Sequence, residues 1–229
     1  MSATTENKLK CDVAQIVRDV RVCLDQNRVD TRLIGDGDED TLDLDQIIRS
    51  KIEYAAQAIG MAAPIWMLSD WSHDFKGNCY WIKDSTGKDT TSGYALLPAD
   101  FMRLLVFKMG DWETAVYTAV LPGTPEYEAT RSRYAGLRGN PQRPVCVLAV
   151  RPEGRVLEFH SCADTDATVT MASYLPRPEI KNEDGVETLD ISKECYRAVV
   201  YMAASLTCTT LRDHDHAGAL KAVAEGLLQ

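Results

Sequence analysis

The chain has 229 residues, 45% hydrophobic and 26% charged, enough to bury a substantial core as one large domain or two small ones. A formal net charge of -9 is the opposite of what a protein needs to grip nucleic acid by neutralising phosphates, although an acidic wall that DNA slides past without sticking stays open. The N-terminal stretch has no apolar signal-peptide core and no run nears the roughly 18 residues of a membrane span, so the expectation is a protein made in a reducing cytoplasm, with no membrane partner.

Residues 12–24 predict a first helix, because Val13, Ile16, Val17, Val20 and Leu24 recur at helical spacing opposite Arg18, Asp19 and Arg21. The acidic "DGDEDTLDLD" follows as a linker. Asp43 or Asp45 can cap a second helix reaching Ala63, and Pro64 ends it. From Trp66 to Pro178 the signal turns to strands. "CYWIKD" and "SGYALLP" flank a polar hairpin loop, and "FMRLLVFKM" and "ETAVYTAVL" read as strands. "RPVCVLAV", "GRVLEFHS" and "ATVTMASYL" repeat that signal, with "RPEG" as a tight turn between the first two. Such close spacing favours antiparallel hairpins. Residues 189–211 read as a helix opened by an Asp190/Ser192 cap, and "AGALKAVAEGLL" reads as a last short one. The predicted fold is therefore α+β. Residues 1–65 and 186–229 form a helical bundle. Residues 66–185 form an inserted antiparallel β domain of hairpins or a small sandwich, with a long loop at 122–144.

Several clusters invite chemistry and fall short of it. Asp36, Asp38 and Asp40 imitate the start of a calcium loop, but Thr41 stands where glycine is needed and Ile47 where glutamate is needed. His214 and His216 lie two apart beside Asp213 and Asp215, which on a helix puts them on different faces and makes a poor zinc site. His160 and Cys162 alternate along a strand and so share a face, yet spacing supplies neither base nor oxyanion donor. Seven cysteines without a C-x-x-C spacing read as reduced, buried thiols. No nucleophile elbow, P-loop or dinucleotide fingerprint is present. The expectation is no catalytic residue, no metal and no cofactor.

The stretch at 122–144 is different. It carries Arg131, Arg133, Arg138 and Arg143 with Tyr127 and Tyr134, and its only acids are Glu126 and Glu128. A connection this long is usually functional or mobile. Arginine and tyrosine are interface anchors, so Arg131, Arg133, Tyr134, Arg138 and Arg143 are the candidate contact residues.

The order of these segments resembles the head-to-tail connector (adaptor or neck ring) proteins of tailed bacteriophages, with the flavour of the ring proteins of crAss-like and other short-tailed phages. The resemblance runs over residues 43–211, through "DQIIRSKIEYAAQAIGMAAPIWML", "LLPADFMRLLVFKMGDW", "YAGLRGNPQRPVCVLAV", "RVLEFHS", "SYLPRPEI" and "CYRAVVYMAASLTCTTL". That family has an L-P-x-D-F-x-R corner before a strand that ends near a tryptophan. Leu97, Pro98, Asp100, Phe101, Arg103 and Trp112 match it. The physics of the stretch agrees. Pro98 ends one strand, Leu97 stays extended before it, Asp100 can cap the turn, and Phe101 anchors the next strand. The resemblance implies a virion protein of the neck, a ring of about twelve copies below the portal. Its partners would be the portal, the tail or further neck rings, with DNA passing through unread. Two other readings stay open at this point: a tail-tube or nozzle protein, and a small metal protein or Cys/His enzyme using His160, Cys162, His214 and His216.

Overall fold

The computed structural model describes residues 9–24, 43–75, 79–83, 85–132 and 134–229. In chain order the elements are β1 (Leu9–Asp12), α1 (Val13–Cys23), α2 (Leu44–Ala62), a 3-10 turn (Ile65–Leu68), β2 (His73–Asp74), β3 (Cys79–Lys83), β4 (Asp89–Leu96) and β5 (Phe101–Met109). Then come α3 (Pro125–Thr130), α4 (Ala135–Arg138), β6 (Cys146–Arg151), β7 (Gly154–Phe159), β8 (Val169–Pro176), β9 (Ile180–Glu183), β10 (Val186–Ile191), α5 (Tyr196–Thr210) and α6 (His214–Gly226). The class is α+β, and the named strands pair antiparallel. The chain divides into two compact units, residues up to Trp71 with Arg177–Gln229, and Ser72–Pro176.

In the first unit α1 and α2 form where the periodicity places them. Asp12 accepts from the Ala14 N–H at the start of α1, 2.9 Å away. α2 buries Ile48, Ile52, Ala55, Ala56 and Ile59 on one stripe and stops ahead of Pro64. The helices do not stand alone, because this unit also holds a sheet of order β1-β10-β9. Polar bonds tie sheet and helices together. Arg49 of α2 makes a two-pronged ion pair with Glu187 of β10. Glu53 accepts the Ile180 N–H at 2.8 Å, and the Tyr196 hydroxyl donates to Asp19 at 2.5 Å.

The sheet corrects the sequence reading in two places. Residues 189–191 are strand, paired with residues 9–11, so the helix expected from Leu189 begins at Tyr196. Ser192 is therefore not its cap; the Ser192 hydroxyl donates to the Met67 carbonyl at 2.5 Å and accepts the Glu194 N–H. Those contacts, with the β9–β10 pairing, also put residues 66–71 and 177–185 in the first unit, not with the inserted strands. α6 begins at His214, earlier than the apolar pattern suggests, because Asp213 caps it by accepting the His216 N–H.

The second unit holds sheets of order β2-β8-β5 and β3-β4-β7-β6. Its core is aromatic. Phe107 stacks on Phe75 and Phe159, and Trp112 sets its edge against both Phe107 and Phe159. Gly93 is required here, since a Cβ would lie 2.4 Å from the Phe159 ring and 2.7 Å from the Tyr80 carbonyl. The expected strand at 113–121 is not a strand. Val116 bridges Phe107 and Val120 bridges Val147, so the segment touches two strands at single points.

Candidate interaction surface and the corner beside it

The corner links β4 of the four-stranded sheet to β5 of the three-stranded one. Pro98 supplies the carbonyl and Phe101 the N–H that close the turn, at 3.1 Å. The Asp100 side chain does not cap the turn as expected; it accepts the Tyr174 hydroxyl at 2.9 Å. Phe101 stacks on the same Tyr174 ring, centroids 5.7 Å apart. Arg155 holds the other side, accepting the Leu97 N–H at its carbonyl and donating from Nη2 to the Ala99 carbonyl at 2.9 Å. Burial pushes the Tyr174 phenol well above its ordinary range, and the bond to Asp100 adds to that. Arg103 is half-buried on β5, and burial lowers its pKa. Trp112 sits 2% exposed in the aromatic core.

The 122–144 stretch is a structured connection rather than an open loop. Thr124 accepts the Tyr127 N–H, and Pro125 opens α3 with Glu126 and Glu128 in the first turn, where the helix dipole favours acids. One turn later the Arg131 guanidinium lies 4.7 Å over the Tyr127 ring and donates to its hydroxyl at 2.7 Å. After α4, Gly139 takes a φ of +107°, and a Cβ there would meet the Ser161 hydroxyl at 2.5 Å. Ser161 in turn accepts the Val145 N–H at 2.9 Å. Asn140 closes the next turn through its side chain, and Gln142 donates to Glu113 at 3.0 Å.

This segment meets the outer face of the four-stranded sheet. Register puts Tyr80, Tyr94, Glu158 and Val147 in one row across β3, β4, β7 and β6. Tyr80 stacks on Tyr94 at 5.4 Å, and the Arg151 guanidinium lies 4.4 Å from the Tyr94 ring. Arg151 also pairs with Glu158 at 2.8 Å, and the His160 Nε2 is 3.7 Å from the same carboxylate. Burial lowers the His160 pKa; Glu158 opposes this, and Arg138 and Arg151 reinforce it. The Glu158 charge also reaches Arg131. Arg151 thus pairs with Glu158 beside His160, the Arg138 charge acts on His160, and the Arg131 charge is met by Glu128 and Glu158. The Arg138 Nε is buried and has no hydrogen-bond partner among the described residues. Tyr134 and Leu137 stand 59% and 61% exposed beside them, and Arg143 is exposed on its turn. Arg133 lies outside the described residues.

Sequence reasoning found the arginines of the segment and missed Tyr80, Tyr94, Arg151 and Glu158. The signal was available. The "RPEG" turn fixes the β6–β7 register, and parity then puts Arg151, Glu158 and His160 on one face. The same parity misplaced Cys162. β7 ends at Phe159, so Cys162 turns into the aromatic core while His160 stays by Glu158. Burial first, then Asp111, push the Cys162 thiol up to about 12, a poor nucleophile at neutral pH. Among the described residues no group of three or more His, Cys, Asp or Glu is placed to hold a metal, and no helix is long and apolar enough to cross a membrane. Asp36, Asp38 and Asp40 lie outside the described residues. No protein-family model matches the chain, and no curated protein matches it.

Proposed function

We propose that the chain is a structural virion protein, a ring-forming head-to-tail connector or adaptor between portal and tail that lines the DNA channel. The observation that carries the reading is the Leu97–Phe101 corner, held by a closed backbone turn, a Tyr174–Asp100 bond and an aromatic stack. A subunit that meets identical neighbours at one angle needs such a fixed joint, because a heterologous contact closes a ring only at a defined rotation. In this reading α1, α2, α5 and α6 are the bundle that packs side by side, and the β-rich unit is the inserted domain, a small sandwich. The Arg/Tyr surface is the contact to another subunit, the portal or the tail. The net charge of -9 keeps DNA from adhering as it passes. The protein acts in the virion neck after synthesis in the host cytoplasm and performs no catalysis. Light scattering with negative-stain imaging, with and without the portal from the same genome, tests it. Closed rings, alone or on the portal, are expected. A monomer that ignores the portal overturns the reading, and stacked tubes favour a tail-tube role.

A further inference from the structure

We infer that the surface built by Arg131, Arg138 and Arg151 is the docking site for the acidic segment 36–40 of a second copy of this chain. The inference rests on the proposed reading in one respect, that copies of the chain associate. The surface is a local exception in an acidic protein: Arg151 pairs with Glu158, the Arg131 guanidinium lies over Tyr127 within reach of the Glu128 and Glu158 charges, and Arg138 acts on His160, so three guanidiniums meet two carboxylates, with His160 held toward neutrality by burial. Arg131 is exposed and Arg138 is half-buried, so part of this cluster faces solvent. Tyr80, Tyr94 and Tyr127 flank the arginines with flat rings, the kind of rim that shields charged contacts from water.

The occupant follows from charge. Asp36, Asp38, Glu39 and Asp40 put four carboxylates into five residues, and Gly37 adds no side chain between them. Carboxylates match guanidinium forks in paired geometry. A nucleic acid offers phosphates to the same forks, but it meets the repulsion of the whole -9 chain with nothing to offset it. A segment tethered to a neighbouring subunit starts from an effective concentration near the millimolar range, and so overcomes that repulsion.

The test uses a fluorescein-labelled peptide of residues 34–42 and, as receptor, the full chain carrying D36N, D38N, E39Q and D40N, so that its own segment does not compete. Anisotropy should show saturable binding as the receptor is raised to about 1 mM, the concentration that the tether would supply. It should weaken about tenfold or more when the receptor also carries R131E and R138E, and fall as salt rises from about 50 to about 500 mM. A receptor with R131K and R138K, which keeps the charge, should retain part of the affinity, and circular-dichroism melting checks that each variant folds. Equal binding of a peptide with all four acids neutralised overturns the inference. So does undiminished binding by a folded R131E/R138E receptor, or binding of a duplex oligonucleotide where the peptide fails. Ring formation on the portal is measured separately. Rings that form normally from the acid-neutralised chain sink this docking while leaving the ring reading intact; peptide capture without rings does the reverse.

Discussion

The corner at residues 97–101 and the arginine-rich connection at 122–144 lie in the same β-rich unit and are built on opposite terms. The corner is completed from inside: its carboxylate, its phenol and its aromatic ring each have a partner a few ångströms away. The connection is anchored at both ends, by Thr124 and by the Ser161–Val145 bond, yet it turns guanidiniums and exposed Tyr134 and Leu137 outward. One region fixes an angle whatever binds. The other leaves Arg131, Tyr134 and Leu137 exposed, and under the proposed function that is where a partner would change the energy.

Substitutions test this contrast. Phe107→Ala removes the ring shared by Phe75, Trp112 and Phe159 and should cost about 3–5 kcal/mol in urea unfolding. A loss below about 1 kcal/mol would mean the corner has no rigid backing. Tyr174→Phe deletes the bond to Asp100 and should cost about 1 kcal/mol. The folded-state pKa of Tyr174 is raised, so its contribution holds below pH ~10 and is lost as pH rises beyond that. The phenylalanine variant should therefore show a shallower alkaline decline in melting temperature. Pro98→Ala should cost only about 0.4–1 kcal/mol, by loosening the unfolded chain, since Phe101 and Tyr174 still hold the turn.

On the outer surface the effects should shrink. His160 has a lowered pKa, so its contribution is present above pH ~6.5 and declines as pH falls below it. His160→Gln should flatten the acid side of the stability curve while leaving neutral pH nearly unchanged. Arg131→Ala should leave the melting temperature within error, because its stack on Tyr127 is solvent-exposed, yet it should weaken assembly. A clear drop in melting temperature would place Arg131 among structural residues and erase the contrast with the corner.

Much of this was legible in the chain itself. α1, α2, the β3–β4 and β6–β7 hairpins and the corner all follow from local signals: apolar period, a proline stop, a tight turn. What was not legible depends on distant partners. Residues 189–191 carry a helix-like flank, and only pairing with residues 9–11, some 180 positions away, makes them strand. Residues 113–121 look like a strand but bridge to neighbouring strands at only two points, and so never form a ladder. The short α3 has a local signal too: Thr124 before Pro125, with acids following, is a helix start. The Arg/Tyr surface was half legible, because its arginines are local while the sheet face they meet requires the register of four strands.

The pairing of β2 with β8 has a practical consequence. His73 lies opposite Tyr174 and Asp74 opposite Ser173, so the polypeptide enters and leaves the β-rich unit on neighbouring strands. The segment between them is then a cassette with adjoining ends. A protein engineer could splice it out across that one junction, or graft it into another host loop, and ask what each half does alone.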